Sequence, residues 1–158
     1  MTDNQTGIPN VAEILAVALG KINPQLRPLL LAKLERLAAE RYRTWAAEHP
    51  DQTAKEGLLA CADREEEIAK RVESLNPDAS AIQDKLLSDN PELLELNRTL
   101  FKDRPLKVQF AMQAAGERAG AAAWMAFAAF ASDSSAKEQL QSCGPLEQAN
   151  ADFLQTLL

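Results

Sequence analysis

The chain has 158 residues, a hydrophobic content of 46%, a charged content of 25% and a formal net charge of -6. That length and balance describe a globular protein with a real core. The acidic excess leaves no general basic surface for phosphates, so neither nucleic acid nor an anionic membrane is an expected partner. Aromatic residues are only 5% of the chain, Ala and Leu dominate, and no β-branched alternating run reads as a strand, so the expected class is all-α.

Residues 1–10 are polar and read as a frayed terminus that carries no secretory leader. The rest, 11–158, reads as a single helical domain, since no stretch has the composition of a linker. Ile14, Leu15, Ala18, Leu19 and Ile22 place a short helix over 11–22. Asn23-Pro24 stops it and starts a long helix to about Glu48, with Leu31, Leu34, Ala38, Tyr42 and Trp45 on one stripe. His49-Pro50-Asp51 breaks that helix, and Asp51 can cap the next. His49, the single histidine, is expected to contact the last carbonyls of its helix rather than act in catalysis. The third helix spans about Gln52 to Leu75, with Leu58, Cys61, Ala62, Ile68, Ala69 and Val72 on one face. The short loop makes these two long helices an antiparallel hairpin.

Asn76-Pro77-Asp78 and Asp89-Asn90-Pro91 then start two short amphipathic helices, about 79–87 and 92–101. A long Ala-rich helix follows from Pro105 to Ala131, with Asp103 as its expected cap. Its half from Ala119 onward is apolar or small on every side, so it is expected to be central, with Ala122 or Ala126 against a neighbour and Trp124 more buried than Trp45. It is too short for a membrane span. Ser132–Ser135 ends it, and a C-terminal segment, helical over 136–142 and 146–157 with a break at Gly144-Pro145, completes the bundle. Cys61 and Cys143 form no CxxC pattern and read as reduced thiols in a cytoplasmic protein.

Phosphate-binding glycine loops, GxSxG and HExxH are absent, so neither a catalytic set nor a bound cofactor is expected. The unusual residues are carboxylates inside apolar stripes. Glu65 has Leu58, Ala62, Ala69 and Val72 around it at helical spacing, and Glu117 stands seven residues from both Phe110 and Trp124. A buried carboxylate must be paired, hydrogen-bonded, protonated or metal-bound. Arg41, Arg64 and Arg118 offer pairing, and an interhelical arginine pair is the favoured expectation.

Two long antiparallel helices, a crossover of short helices and two further helical segments resemble the layout of ferritin-like bundles. Those bundles hold two metals with one Glu from each of two helices and Glu-x-x-His from the other two. The resemblance implies metal candidates at Glu65 (followed by Ile68) and Glu147 (followed by Asn150), with Glu35 or Glu40 and Glu117 as lone carboxylates. Both histidines of the pattern are missing, and the likeness, which lies in helix lengths, assigns no family. Two functions are therefore expected in competition. One is a non-enzymatic interaction or regulatory module that self-associates or binds a protein partner. The other is a bundle holding a metal or small ligand through core carboxylates.

Overall fold

The computed structural model describes residues 7–158 and is all-α. Among the described residues there are helices α1 (Val11–Gly20), α2 (Arg27–Glu48), α3 (Gln52–Glu73), α4 (Ala79–Asp89), α5 (Glu92–Thr99), α6 (Leu106–Ala129), α7 (Ser134–Gln141) and α8 (Cys143–Thr156), with a 3-10 turn at Pro24–Leu26. Of the expected frayed terminus, 1–6 lie outside the described residues, and Asn10 caps α1 by accepting from the Glu13 amide.

Local chemistry explains the breaks. Asn23 accepts from the Gln25 amide, Asp51 from the Ala54 amide and Asp133 from the Ser135 amide, each meeting an amide that the helix leaves unpaired. Pro28 is tolerated in the first turn of α2. His49 departs from expectation: its Nδ1 accepts from the Asp51 amide at 3.1 Å, and its ring stacks on Phe110. It therefore shapes the α2–α3 turn instead of meeting carbonyls as a cation. Asp103 is not the cap of α6; it takes a left-handed φ of 60°, and Pro105 precedes the helix without a side-chain cap. The break expected at Gly144-Pro145 falls at Ser142, and both residues enter the first turn of α8, where proline costs no hydrogen bond.

Helices α2, α3, α8 and α6 form a four-helix bundle in that spatial order. Each neighbour runs antiparallel to the next. Trp45 meets Gln109 and Tyr42 meets Glu117 across α2–α6, while Cys61 meets Asn150 and Arg71 meets Ser142 across α3–α8. The crossover α4–α5 carries the chain from the end of the bundle where α2 starts to the end that holds the α2–α3 turn, where α6 begins. Helix α4 packs on α2, and α1 lies over α6 and α2.

The long Ala-rich helix is not enclosed on all sides. Trp124 and Ala128 are buried, but Ala122 and Ala126 are exposed, as are Met125 and Phe130, the last at 90%. The expectation that Ala122 or Ala126 faces a neighbour is thus wrong. Alanine is compatible with either side of a helix, so the sequence did not mark which stripe faces outward. Trp124 is more buried than Trp45, though the difference is small, 0% against 4%, because Tyr42, Phe101 and Phe110 surround Trp45 edge-on. No helix among the described residues is long and apolar enough to cross a membrane.

The bundle interior is two apolar clusters. One contains Leu30, Ile68, Val72, Trp124 and Cys143, and the other Tyr42, Leu58, Cys61, Phe110 and Leu154. A polar layer separates them.

Candidate metal centre

That layer is built from one glutamate on each bundle helix: Glu35 on α2, Glu65 on α3, Glu117 on α6 and Glu147 on α8. Their exposures are 6%, 0%, 1% and 1%. All four carboxylates singled out in the sequence therefore point inward. Glu40 does not; it is exposed and pairs with Arg43.

Glu35, Glu65 and Glu147 each place a carboxylate oxygen within 4.8 Å of the other two. The charge of Glu117 acts on both Glu65 and Glu147. Around this cluster the protein supplies neutral donors. Tyr42 Oη donates to Glu117 Oε1 at 2.6 Å, and Gln113 Nε2 donates to the same oxygen at 2.8 Å. Trp124 Nε1 donates to Glu147 Oε1 at 2.6 Å. Asn150 Nδ2 donates to Glu65 Oε1 at 2.6 Å, while Arg64 Nη1 donates to Asn150 Oδ1 at 3.0 Å and so fixes the amide's direction. Asn150, in the place of a histidine in the Glu-x-x-His pattern, is thus a positioning residue. Ile68, in the other such place, is buried apolar packing.

Among the described residues, two oxygens of this layer have no hydrogen-bond partner: Glu65 Oε2 and Glu117 Oε2 are buried and unsatisfied. Such atoms cost free energy unless something meets them. The arginine pairing expected from sequence is not what meets them. Arg41 donates to Gln113 Oε1 and Asn97 Oδ1, Arg64 to Asn150 and Cys61, and Arg118 to Gln155. Among the described residues no Lys or Arg forms an ion pair with any of the four carboxylates; the ion pairs present engage other acids, such as Glu66 and Glu73 with Arg36. The sequence could show that Arg41 flanks the apolar stripe of α2, but not that its guanidinium meets Gln113 and Asn97.

The electrostatics follow from this isolation. Burial pushes Glu65 well above the ordinary value of 4.5, and the charges of Glu117 and Glu35 push it further. Burial also raises Glu147 well above 4.5, reinforced by Glu35 and Glu117. Glu35 is raised by burial as well, though the neighbouring Glu65 and Glu147 carboxyls and the charge of Arg41 partly offset this. Tyr42 is lifted well above 10.0 by burial and by Glu117 and Glu65, so it stays a donor. Without a cation, the cluster must hold protons that a metal would displace.

Sequence reasoning missed the supporting shell. Tyr42 stands seven residues after Glu35 and Trp124 seven after Glu117, so each shares a helix face with a site carboxylate. That spacing was the available signal for a polar role beyond packing. Gly120 was missed too. A Cβ there would lie 2.7 Å from Glu147 Oε1 and 2.9 Å from its Cδ, so the bare backbone of α6 is what admits the Glu147 carboxylate.

Chemically, the site offers only carboxylate oxygens as ligands from the four helices. Such a set suits hard divalent ions. No protein-family model matches the chain, and no curated protein or solved structure matches it, so no family is assigned and the functional reading stands on this geometry.

Proposed function

We propose that this protein is a metal-binding helical bundle whose core carboxylates hold divalent cations. The observation that carries this reading is a buried layer of four glutamates, one per helix, with no cationic side chain paired to it and two orphaned oxygens inside it. Four ionised carboxylates in a protein interior are prohibitively costly unless positive charge joins them. Two divalent ions match their four negative charges. Glu35, Glu65 and Glu147 have the spacing to share an ion, and Glu117 adds the fourth carboxylate. The oxygen-only set favours Mn(II), Fe(II) or Mg(II) over ions that prefer imidazole or thiolate. The arrangement supports binding; it assigns no reaction.

The test is metal analysis of the purified protein, with thermal shifts on adding Mn(II), Fe(II) or Mg(II) to chelator-treated samples. A saturable upward shift that is lost in the double variant Glu65→Gln, Glu117→Gln supports the reading. No shift with any of the three ions, and no retained metal, refutes it.

Self-association remains a second reading, favoured by exposed Met125 and Phe130 near the end of α6. Sedimentation of wild type against Phe130→Ser tests it, a monomer at all concentrations being the negative result.

A further inference from the structure

The bundle is not closed evenly. Helices α2 and α6 meet at Tyr42 and Trp45, and α1 and α5 line a space beside them. That space is a cavity of about 120 Å³. Its walls are largely apolar, among them Ile14 and Leu15 of α1, Leu34 of α2 and Leu93 and Leu96 of α5. Its floor is the carboxylate layer, through Glu35, Glu117 and Glu147. A space of this size compares with an apolar cavity of roughly 150 Å³ that admits benzene.

Among the described residues, Arg41 is the cation that lines it. Arg41 donates through Nη1 to Gln113 Oε1 at 2.6 Å and through Nη2 to Asn97 Oδ1, and its guanidinium lies 4.1 Å above the Phe101 ring. All three partners are neutral, and Arg41 takes no ion pair among the described residues. Holding a guanidinium by amides and an aromatic face fixes its plane, and the charges of Glu65, Glu117 and Glu35 reach it without a direct ion pair. A planar, oriented guanidinium is suited to bidentate recognition of a carboxylate.

We propose that this cavity binds a small organic monoanion, with its carboxylate on Arg41 and its apolar body between α1, α2 and α5, and that it does so when the glutamate layer carries metal. The second part rests on the metal-binding reading above. Wherever its glutamates are ionised, an unmetallated layer would repel an anion lying above it. Once divalent ions balance the glutamates, the charge of Arg41 is left to attract one. The occupant is therefore an apolar-bodied acid of about benzoate size. An inorganic anion would leave the leucine walls unmatched, and a neutral hydrocarbon would leave Arg41 unanswered.

The experiment is calorimetric titration of benzoate, with benzamide as its neutral counterpart, into Mn(II)-loaded and chelator-treated protein. Mn(II) binding to each sample is measured separately by electron paramagnetic resonance. Benzoate should bind the loaded protein at least about tenfold more tightly than benzamide, and should bind the metal-free protein more weakly. Arg41→Gln should abolish the preference for benzoate over benzamide while Mn(II) still binds. Leu96→Trp, which fills the cavity from a half-exposed position on α5, should block both compounds and likewise leave Mn(II) binding in place. If Mn(II) binds but benzoate does not, or benzoate and benzamide bind equally, the cavity proposal is overturned and the metal reading stands. If benzoate binds with equal strength without metal, the linkage is wrong. If Mn(II) and benzoate both fail to bind, both proposals fall.

Discussion

Changing Glu65 to Gln probes the charge logic of the buried layer directly. Glu65 is fully buried, accepts from Asn150 at Oε1 and has an unsatisfied Oε2. Glutamine keeps the shape and can keep the Asn150 bond through its carbonyl. Its amide takes the place of the orphaned oxygen and can donate toward Glu35 or Glu117. It is also neutral at every pH. The wild-type group is not: its folded pKa is raised above the ordinary 4.5 by burial and by Glu117 and Glu35. A raised carboxyl pKa contributes stability that is complete below the ordinary value and is lost as pH rises toward the folded value. Within that window each pH unit costs about 1.4 kcal/mol per group, or roughly 3–6 °C of melting temperature for a domain of this size. Metal-free wild type should therefore melt at lower temperature as pH rises from about 5 to 8, and Glu65→Gln should show a shallower fall by one group's share. Glu73 does not confuse the comparison. Although burial opposes its charge, Arg36 and Gln83 hold its pKa below 4.5, so its stability is lost only at more acidic pH. Adding Mn(II) at a hundred times its dissociation constant should return about 2.7 kcal/mol to wild type, roughly 5–10 °C, and much less to the variant. Calorimetry over that pH range, with chelator and then with Mn(II), measures all of this. A metal-free wild type that gains stability from pH 5 to 8, or a variant with the full metal shift, would refute the reasoning.

Gly120→Ala should leave metal-free stability within about 1 kcal/mol, since alanine favours helix, yet cut the metal-induced shift at least in half because its Cβ displaces the Glu147 carboxylate; paired melts with and without Mn(II) decide. Gly57→Ala puts a Cβ 2.0 Å from Phe153 Cζ and should cost about 1–3 kcal/mol by overpacking. Phe153→Leu in the same background should recover part of that loss in denaturant unfolding, and an additive double variant would count against the contact. Burial pushes Cys61 up to about 12 and Cys143 up to about 11, so neither thiol should react with a thiol reagent at pH 8 until denaturant is added. Rapid native labelling of either would contradict the packing.

The helices and their ends were legible because their causes are local. Asn23, Asp51 and Asp133 cap within a few residues of themselves, and proline acts on its own turn. The site carboxylates were legible as candidates for the same reason: a glutamate among Leu58, Ala62, Ala69 and Val72 at helical spacing must turn inward with them. What those carboxylates meet was not local. Whether Glu65 finds Arg41 or three other glutamates depends on how far each helix slides along its neighbour, and periodicity repeats every turn without setting that level. The same freedom hid the outward face of α6, where Ala122 and Ala126 would have suited a core equally well. Tertiary packing alone brought the four glutamates to one height between two apolar clusters, placed Gly120 under Glu147, and left Arg41 beside a cavity with neutral partners. Those outcomes turn on contacts between residues far apart in the chain, such as Tyr42 with Glu117 and Asn150 with Glu65, which one helix's pattern does not encode.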